Sequence, residues 1–144
     1  HALAPGNGDP ENFELQNCST QRNLDDIGIQ QSKRIGLIFK KNKIKIDKIY
    51  SSEWCRCKDT AKYAFNDFKT FDALNSFYDI RFAANEDKQI KDFYEFIDNI
   101  DSKNNIVFVT HYVVIGAILN IGTSSGEIVV TDKNLNIIGS IDTL

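Results

Sequence analysis

The segment NIVFVTH, residues 105–111, constrains the fold more than any other stretch of the chain. Its apolar residues follow one another without the in-out alternation of a strand with one wet face. It therefore reads as a strand covered on both faces, nearly inaccessible and central in a parallel sheet. Such a strand needs helices above and below it, and the flanking sequence supplies them. Ile90, Phe93, Phe96, Ile97 and Ile100 recur at helical spacing before it. VVIGAILNI (113–121), behind it, is apolar nearly all round and reads as a buried helix. Upstream, KIDKIYSS reads as a second strand ending on Ser51 and Ser52, followed directly by a helix through Ala61, Ala64 and Phe65. Asp25 is placed to cap an earlier helix carrying Leu24, Ile27, Gln31, Ile35 and Ile38. FDALN (71–75) reads as a short strand and 76–87 as an irregular excursion. GEIVV and NIIGSI read as a closing hairpin. Strands alternating with helices imply a three-layer α/β/α sandwich with a mostly parallel central sheet. The 144 residues show no repeat or linker, so 1–144 is read as one domain.

The charge balance narrows the function. A net charge of −3 excludes general nucleic-acid binding by the whole surface. The one basic cluster, Lys33 to Lys48, is interleaved with Ile35, Leu37, Ile38, Phe39, Ile44 and Ile46, as expected of a helix end and its solvated loop. No apolar run approaches the ~20 residues of a membrane span. The three cysteines, Cys18, Cys55 and Cys57, are too few for a disulfide scaffold. Cys-x-Cys at a helix start also lacks the paired spacing of a zinc site, so no metal is expected.

In parallel sheets ligands bind beyond the C-terminal ends of the strands. Two polar clusters fall there, SSEWCR and THYV. Arg56 lies in the first turn of a helix, where free N–H groups and the dipole favour an anion. His111 ends the apolar strand; alone it reads more readily as a satisfied core histidine than as a site residue. The only other histidine is His1, which opens a polar loop of some 23 residues containing Gly6, Gly8 and Pro10. Together the three would form a nitrogen-rich pocket suited to phosphate.

At this point the chain resembles the histidine phosphatase, or phosphoglycerate mutase-like, superfamily. HALAPG, SSEWCRCKDTA and VTHYVVIGA occur in that family's order, with LDDIGIQQS where members carry Leu-x-x-x-Gly. GDPENFELQNCSTQRNL, LNSF and SGEIVV resemble the small branch of lipopolysaccharide core heptose-phosphate phosphatases. The resemblance implies a phosphoglycerate mutase-like fold in which His1 is the nucleophile. Arg56 and His111 stabilise the transferring phosphoryl group, and Asn7 also touches the phosphate. It implies an arginine and a central strand ahead of residue 1, so the first strand is expected to be missing from the chain as given. The general acid is expected among Asp79, Glu86 (or its neighbour Asp87) and Glu127, with Asp9 and Glu11 as rivals. Arg22 and Trp54 are candidate substrate contacts. Cys18 and Cys55 flank the implied site, so a local disulfide is expected there rather than a metal.

The implied activity is metal-independent hydrolysis of a phosphomonoester through phosphohistidine, without a cofactor. The expected partner is a small phosphorylated sugar, and neither nucleic acid nor membrane. A phosphohistidine protein substrate and a phosphate-binding module without turnover are the alternatives. A mutase would carry insertions for which the chain is too short. Location stays open, cytoplasmic or, with a signal peptide ahead of residue 1, periplasmic.

Overall fold

The computed structural model describes residues 1–144. Helix α1 (Asp26–Lys41) starts where expected: the Asp25 carboxylate accepts from the Gly28 N–H at 2.8 Å. Lys40 and Lys41 close it at the negative end of its dipole. Strand β1 (Ile46–Ser51) follows, then α2 (Cys55–Phe65) and a two-residue strand β2 (Lys69–Thr70). Helix α3 (Glu86–Asn99) carries Glu86 and Asp87 in its first turn, the favourable end for carboxylates. Strand β3 (Asn105–Val109) leads into α4 (Tyr112–Leu119), and β4 (Ile128–Thr131) pairs antiparallel with β5 (Ile137–Ile141).

The main sheet is all parallel, in the order β2-β1-β3. Val107 and Val109 face α2, packing with Ile49, Cys57 and Ala61. Tyr50 and Phe108 face the opposite layer, against Phe93 and Ile97 of α3 and Ile118 of α4. Helix α1 lies on α2 so closely that a Cβ on Gly36 would stand 2.1 Å from the Ala64 carbonyl oxygen. These contacts give the expected three layers. Ser51 pairs with Val109, and the Ser52 N–H donates to the Val109 carbonyl at 2.9 Å. The two strands therefore end level, and their following residues emerge side by side.

Three expectations need correction. Strand β3 is not central and inaccessible: it is an edge of the three-stranded sheet, and Ile106, Val107 and Phe108 are half-buried. Its free edge faces an apolar cavity of about 640 Å³, which Ile35, Phe39, Phe65, Ile115 and Val129 also line. Helix α4, apolar nearly all round, buries only Val114 fully; Ile115, Ile118 and Leu119 border the same open space. FDALN is not a strand. The strand pairing falls two residues earlier, and Asp72–Leu74 form a 3₁₀ turn that buries Ala73 and Leu74 together.

At one end of that cavity the chain opens against both sheets. The His1 backbone nitrogen donates to the Thr110 carbonyl at 2.7 Å, and its carbonyl accepts from Gly126 N at 2.8 Å. Gln31, fully buried, fixes the next residues. Its Oε1 accepts from Leu3 N, while its Nε2 donates to the Ser125 carbonyl and Thr143 Oγ1. His1 is thus set beside the ends of β1 and β3.

Candidate active site

The imidazole of His1 has a defined tautomer. Its Nδ1 lies 2.8 Å from the Ala2 carbonyl oxygen, which can only accept, so Nδ1 carries the proton. Nε2 is then a bare lone pair, and Arg56 Nε donates to it at 3.2 Å. Arg56 is 3 % exposed and donates from all three of its nitrogens. Nη1 donates to Asp9 Oδ1 at 2.8 Å and to the Arg22 carbonyl at 3.3 Å, and Nη2 donates to Asp9 Oδ2 at 3.3 Å. One guanidinium therefore has an imidazole lone pair on one side and a carboxylate on the other.

Arg56 is the second residue of α2, whose N-cap, Trp54, offers no side-chain cap. Neighbouring segments take over that role. Gln21 Oε1 accepts from Cys55 N at 2.9 Å, and a disulfide joins Cys55 to Cys18. The loop over 8–22 is thereby fastened to the helix start that presents Arg56. The disulfide matches the expectation from sequence. No group of three or more His, Cys, Asp or Glu is gathered as for a metal ion. No helix is long and apolar enough to cross a membrane.

His111, 2 % exposed, stands beside His1 with ring centres 5.2 Å apart. Its Nε2 meets Ser52 Oγ at 2.9 Å, and Ser52 Oγ donates to Asn75 Oδ1 at 3.2 Å. A hydroxyl has one proton, so Nε2 is the donor toward Ser52. Burial, followed by the charge of Arg56, holds the His111 pKa well below the ordinary histidine value. The free protein therefore keeps this ring neutral. A bound dianion would raise its pKa again. Cys57 Sγ is 3.5 Å from the same Nε2, and burial pushes that thiol up, so it stays protonated.

Asp9 is the carboxylate at the centre. Burial alone would raise its pKa, but hydrogen bonds from Arg56, Arg22 N and Trp54 Nε1 outweigh it and lower the value. Trp54 donates from Nε1 to Asp9 Oδ2 at 3.0 Å, with its ring stacked on Phe13 and edge-on to His111. The indole is buried, so it positions a carboxylate and offers no open face. Arg22 donates from Nε to the Gly8 carbonyl and from Nη1 to the Ala4 carbonyl, holding the first loop in shape, and it lines the cleft.

These groups line a cleft of about 40 Å³, with the exposed Asn7, Tyr78 and Tyr112 at its mouth and Ser76 buried in its wall. The far larger cavity lies along β3, is mostly apolar and contains neither Arg56 nor His111, so volume does not mark the site here. The other expected carboxylates are scattered. Asp79 reaches the cleft but is paired with Arg81, whose hydrogen bonds lower its pKa to about 2. Glu86 and Asp87 are exposed on the first turn of α3, outside the cleft. Glu127 lies on the large-cavity side of His1, where it accepts from Ser124 N. Glu11 is exposed, and its carbonyl accepts from Arg81. Asn75 and Gln21, which fix Ser52 and Cys55, carry no sequence signal that distinguishes them from other loop amides.

Comparison with known proteins bears on the fold. No protein-family model and no curated protein matches the chain. Among solved structures, the protein TTHB049 of Thermus thermophilus aligns with a TM-score of 0.63 and 15% identity, covering 83% of this chain and 85% of its own. A phosphoglycerate mutase from the same organism aligns at TM-score 0.62 and 16% identity, over 83% and 84% of the two chains. Rv3214 of Mycobacterium tuberculosis aligns at 0.54 and 14%, over 68% and 65%. The chain has a phosphoglycerate mutase-like α/β fold.

Proposed function

We propose that the protein is a phosphomonoester hydrolase that works through a phosphohistidine on His1. The observation that carries this reading is the paired state of the His1 ring: Nδ1–H held by a carbonyl, Nε2 unprotonated against Arg56. That is the tautomer needed for in-line attack on phosphorus, with a guanidinium adjacent to take up charge on the phosphoryl oxygens. Nucleophile, cation and neutral His111 need no metal to act on a phosphate. Asn7, at the cleft mouth, adds an amide donor.

The substrate we infer is a small phosphorylated sugar, in keeping with the resemblance to heptose-phosphate phosphatases. Closure of the first loop favours it over a phosphohistidine protein, which requires an open face. Phe13 packs between Trp54 and Phe82, and Arg81 donates to the Pro10 and Glu11 carbonyls. Segments 8–22 and 76–88 thus meet over the cleft, leaving a narrow entrance. The test is turnover of sugar phosphates in the presence of a chelator, with an acid quench to trap the phosphoenzyme. Acid-labile label on the unmutated protein and none on His1→Ala is expected. Undiminished turnover by His1→Ala would refute the mechanism.

A further inference from the structure

The cleft already contains an anion. Asp9 takes four donors, Arg56 Nη1 and Nη2, Arg22 N and Trp54 Nε1, and its side chain is 9 % exposed. The Arg56 fork that would clamp two phosphoryl oxygens is thereby filled by two carboxylate oxygens in the same bidentate geometry. A substrate phosphate and Asp9 compete for one guanidinium.

We propose that Asp9 is the general acid and base of the reaction, and that the incoming phosphate switches it on by displacing it from Arg56. This inference rests on the phosphohistidine reading and adds to it the residue that moves the proton. While it faces Arg56 the carboxylate is ionised and has no proton to give. Once the phosphate takes the fork, Arg22 N and Trp54 Nε1 still hold Asp9 beside it, but the balancing cation is gone. The proton comes with the substrate. A phosphomonoester bound as its monoanion, ROPO₃H⁻, passes one proton to the displaced carboxylate and stays on Arg56 as the dianion. The His1 Nε2 lone pair then forms the N–P bond as the P–O(R) bond breaks. Asp9 returns the proton to the leaving oxygen, releasing ROH. In the second half the Asp9 carboxylate removes a proton from water, whose oxygen attacks phosphorus. The N–P bond breaks, and its electron pair returns to Nε2. Asp9 passes that proton to the product, which leaves as H₂PO₄⁻, and the ionised carboxylate closes again on Arg56.

Competition and proton transfer make separate predictions for Asp9→Asn, which keeps the shape and removes the charge. Freed of its internal rival, Arg56 should bind inorganic phosphate about tenfold more tightly by calorimetry, because the self-occupied fraction is removed. Hydrolysis of glucose 6-phosphate, whose leaving alkoxide needs a proton, should fall by about 10²–10⁴. Hydrolysis of p-nitrophenyl phosphate, whose leaving group is stable as an anion, should fall by less than about tenfold. Asp9→Glu should recover part of the sugar-phosphate activity. Equal loss on both substrates, with phosphate binding no tighter, would mean that Asp9 only braces Arg56 and would overturn the proposal. If the unmutated protein hydrolyses neither ester, the hydrolase reading fails by itself. The phosphate titration then still decides whether Asp9 occupies the anion site.

Discussion

Replacing Arg56 with lysine keeps the charge and removes the fork, which makes it the sharpest probe of how the site is held. Arg56 donates four hydrogen bonds to acceptors on His1, Asp9 and Arg22. A lysine ammonium is a single point on a flexible stem and cannot reach His1 Nε2 and both Asp9 oxygens at once. The His1 bond and one arm of the bidentate pair are the expected losses. The Asp9 side chain is only 9 % exposed, so water does not replace what is lost. Each bond to a charged group contributes about 1.5–3 kcal/mol, and the surviving charge attraction offsets part of that, leaving a destabilisation of about 2–4 kcal/mol. For a chain of this size that corresponds to a fall in Tm of roughly 6–16 °C. Thermal and urea unfolding followed by circular dichroism would measure it. An Arg56→Lys protein that melts with the unmutated one would show that the network contributes nothing and refute the reasoning. Turnover should fall by about 10²–10³, as when a donor to the developing charge is lost.

Other perturbations test separate parts of the structure. Reducing the Cys18–Cys55 bond, which closes a separation of 37 residues, should cost about 4 kcal/mol by the chain-entropy estimate and lower the melting point under thiol; identical melts with and without reductant would count against a structural bridge. Gly36→Ala must push α1 away from the Ala64 carbonyl, and should cost about 1–3 kcal/mol in urea unfolding. His111 has a depressed folded-state pKa, so the unfolded chain takes up its proton first as pH falls through about 6.5 and stability declines there. Asp9 is also depressed, so its stabilisation is present above the unfolded carboxylate value near about 4 and is lost on further acidification. Urea midpoints against pH should show the upper step vanish in His111→Asn, and the step persisting there would contradict the assignment. Finally, β3 and β4 each turn an unpaired edge to the 640 Å³ cavity, with His1 between their ends. Five strand-forming apolar residues appended before His1 should fill it and raise the urea midpoint, and an unchanged midpoint would show that the space does not accept a strand.

The sequence made local features legible. The Asp25 cap, the apolar stripe of α3 and the β4–β5 hairpin each depend on residues close in the chain, so spacing alone places them. Strand β3 shows where such reasoning stops. A continuous apolar run reports that both faces of a strand meet side chains, as Val107 and Phe108 do. It does not report whether both edges have partners, which depends on strands far away in sequence. FDALN fails differently: apolar residues at 71, 73 and 74 fit a strand and a tight 3₁₀ turn equally well. Within the site, Arg56 and His111 were legible because each sits at the start of a helix beyond a strand, and His1 was singled out by the family resemblance. Asp9 was one carboxylate among several in a polar loop. Its contacts reach 47 residues along the chain, to Arg56, and no local pattern announces them.

That long reach bears on how the site works. A buried arginine needs partners for its donors, and in the free protein Asp9, His1 and Arg22 take four of its five N–H groups. Under the proposed mechanism, the arrangement that satisfies Arg56 in the free protein is therefore the one that a phosphate must partly undo. The ion pair lowers apparent affinity for the ground state, since the phosphate has to displace a carboxylate already in place. In exchange, the proposed displacement would release a carboxylate beside the leaving oxygen only when substrate is bound. Ground-state binding given up in this way does not slow the chemical step, because rate depends on contacts that strengthen in the transition state. The disulfide and the Arg81 contacts keep the loop close while this happens, so Asp9 is displaced over a short distance and remains within reach of the bond being broken.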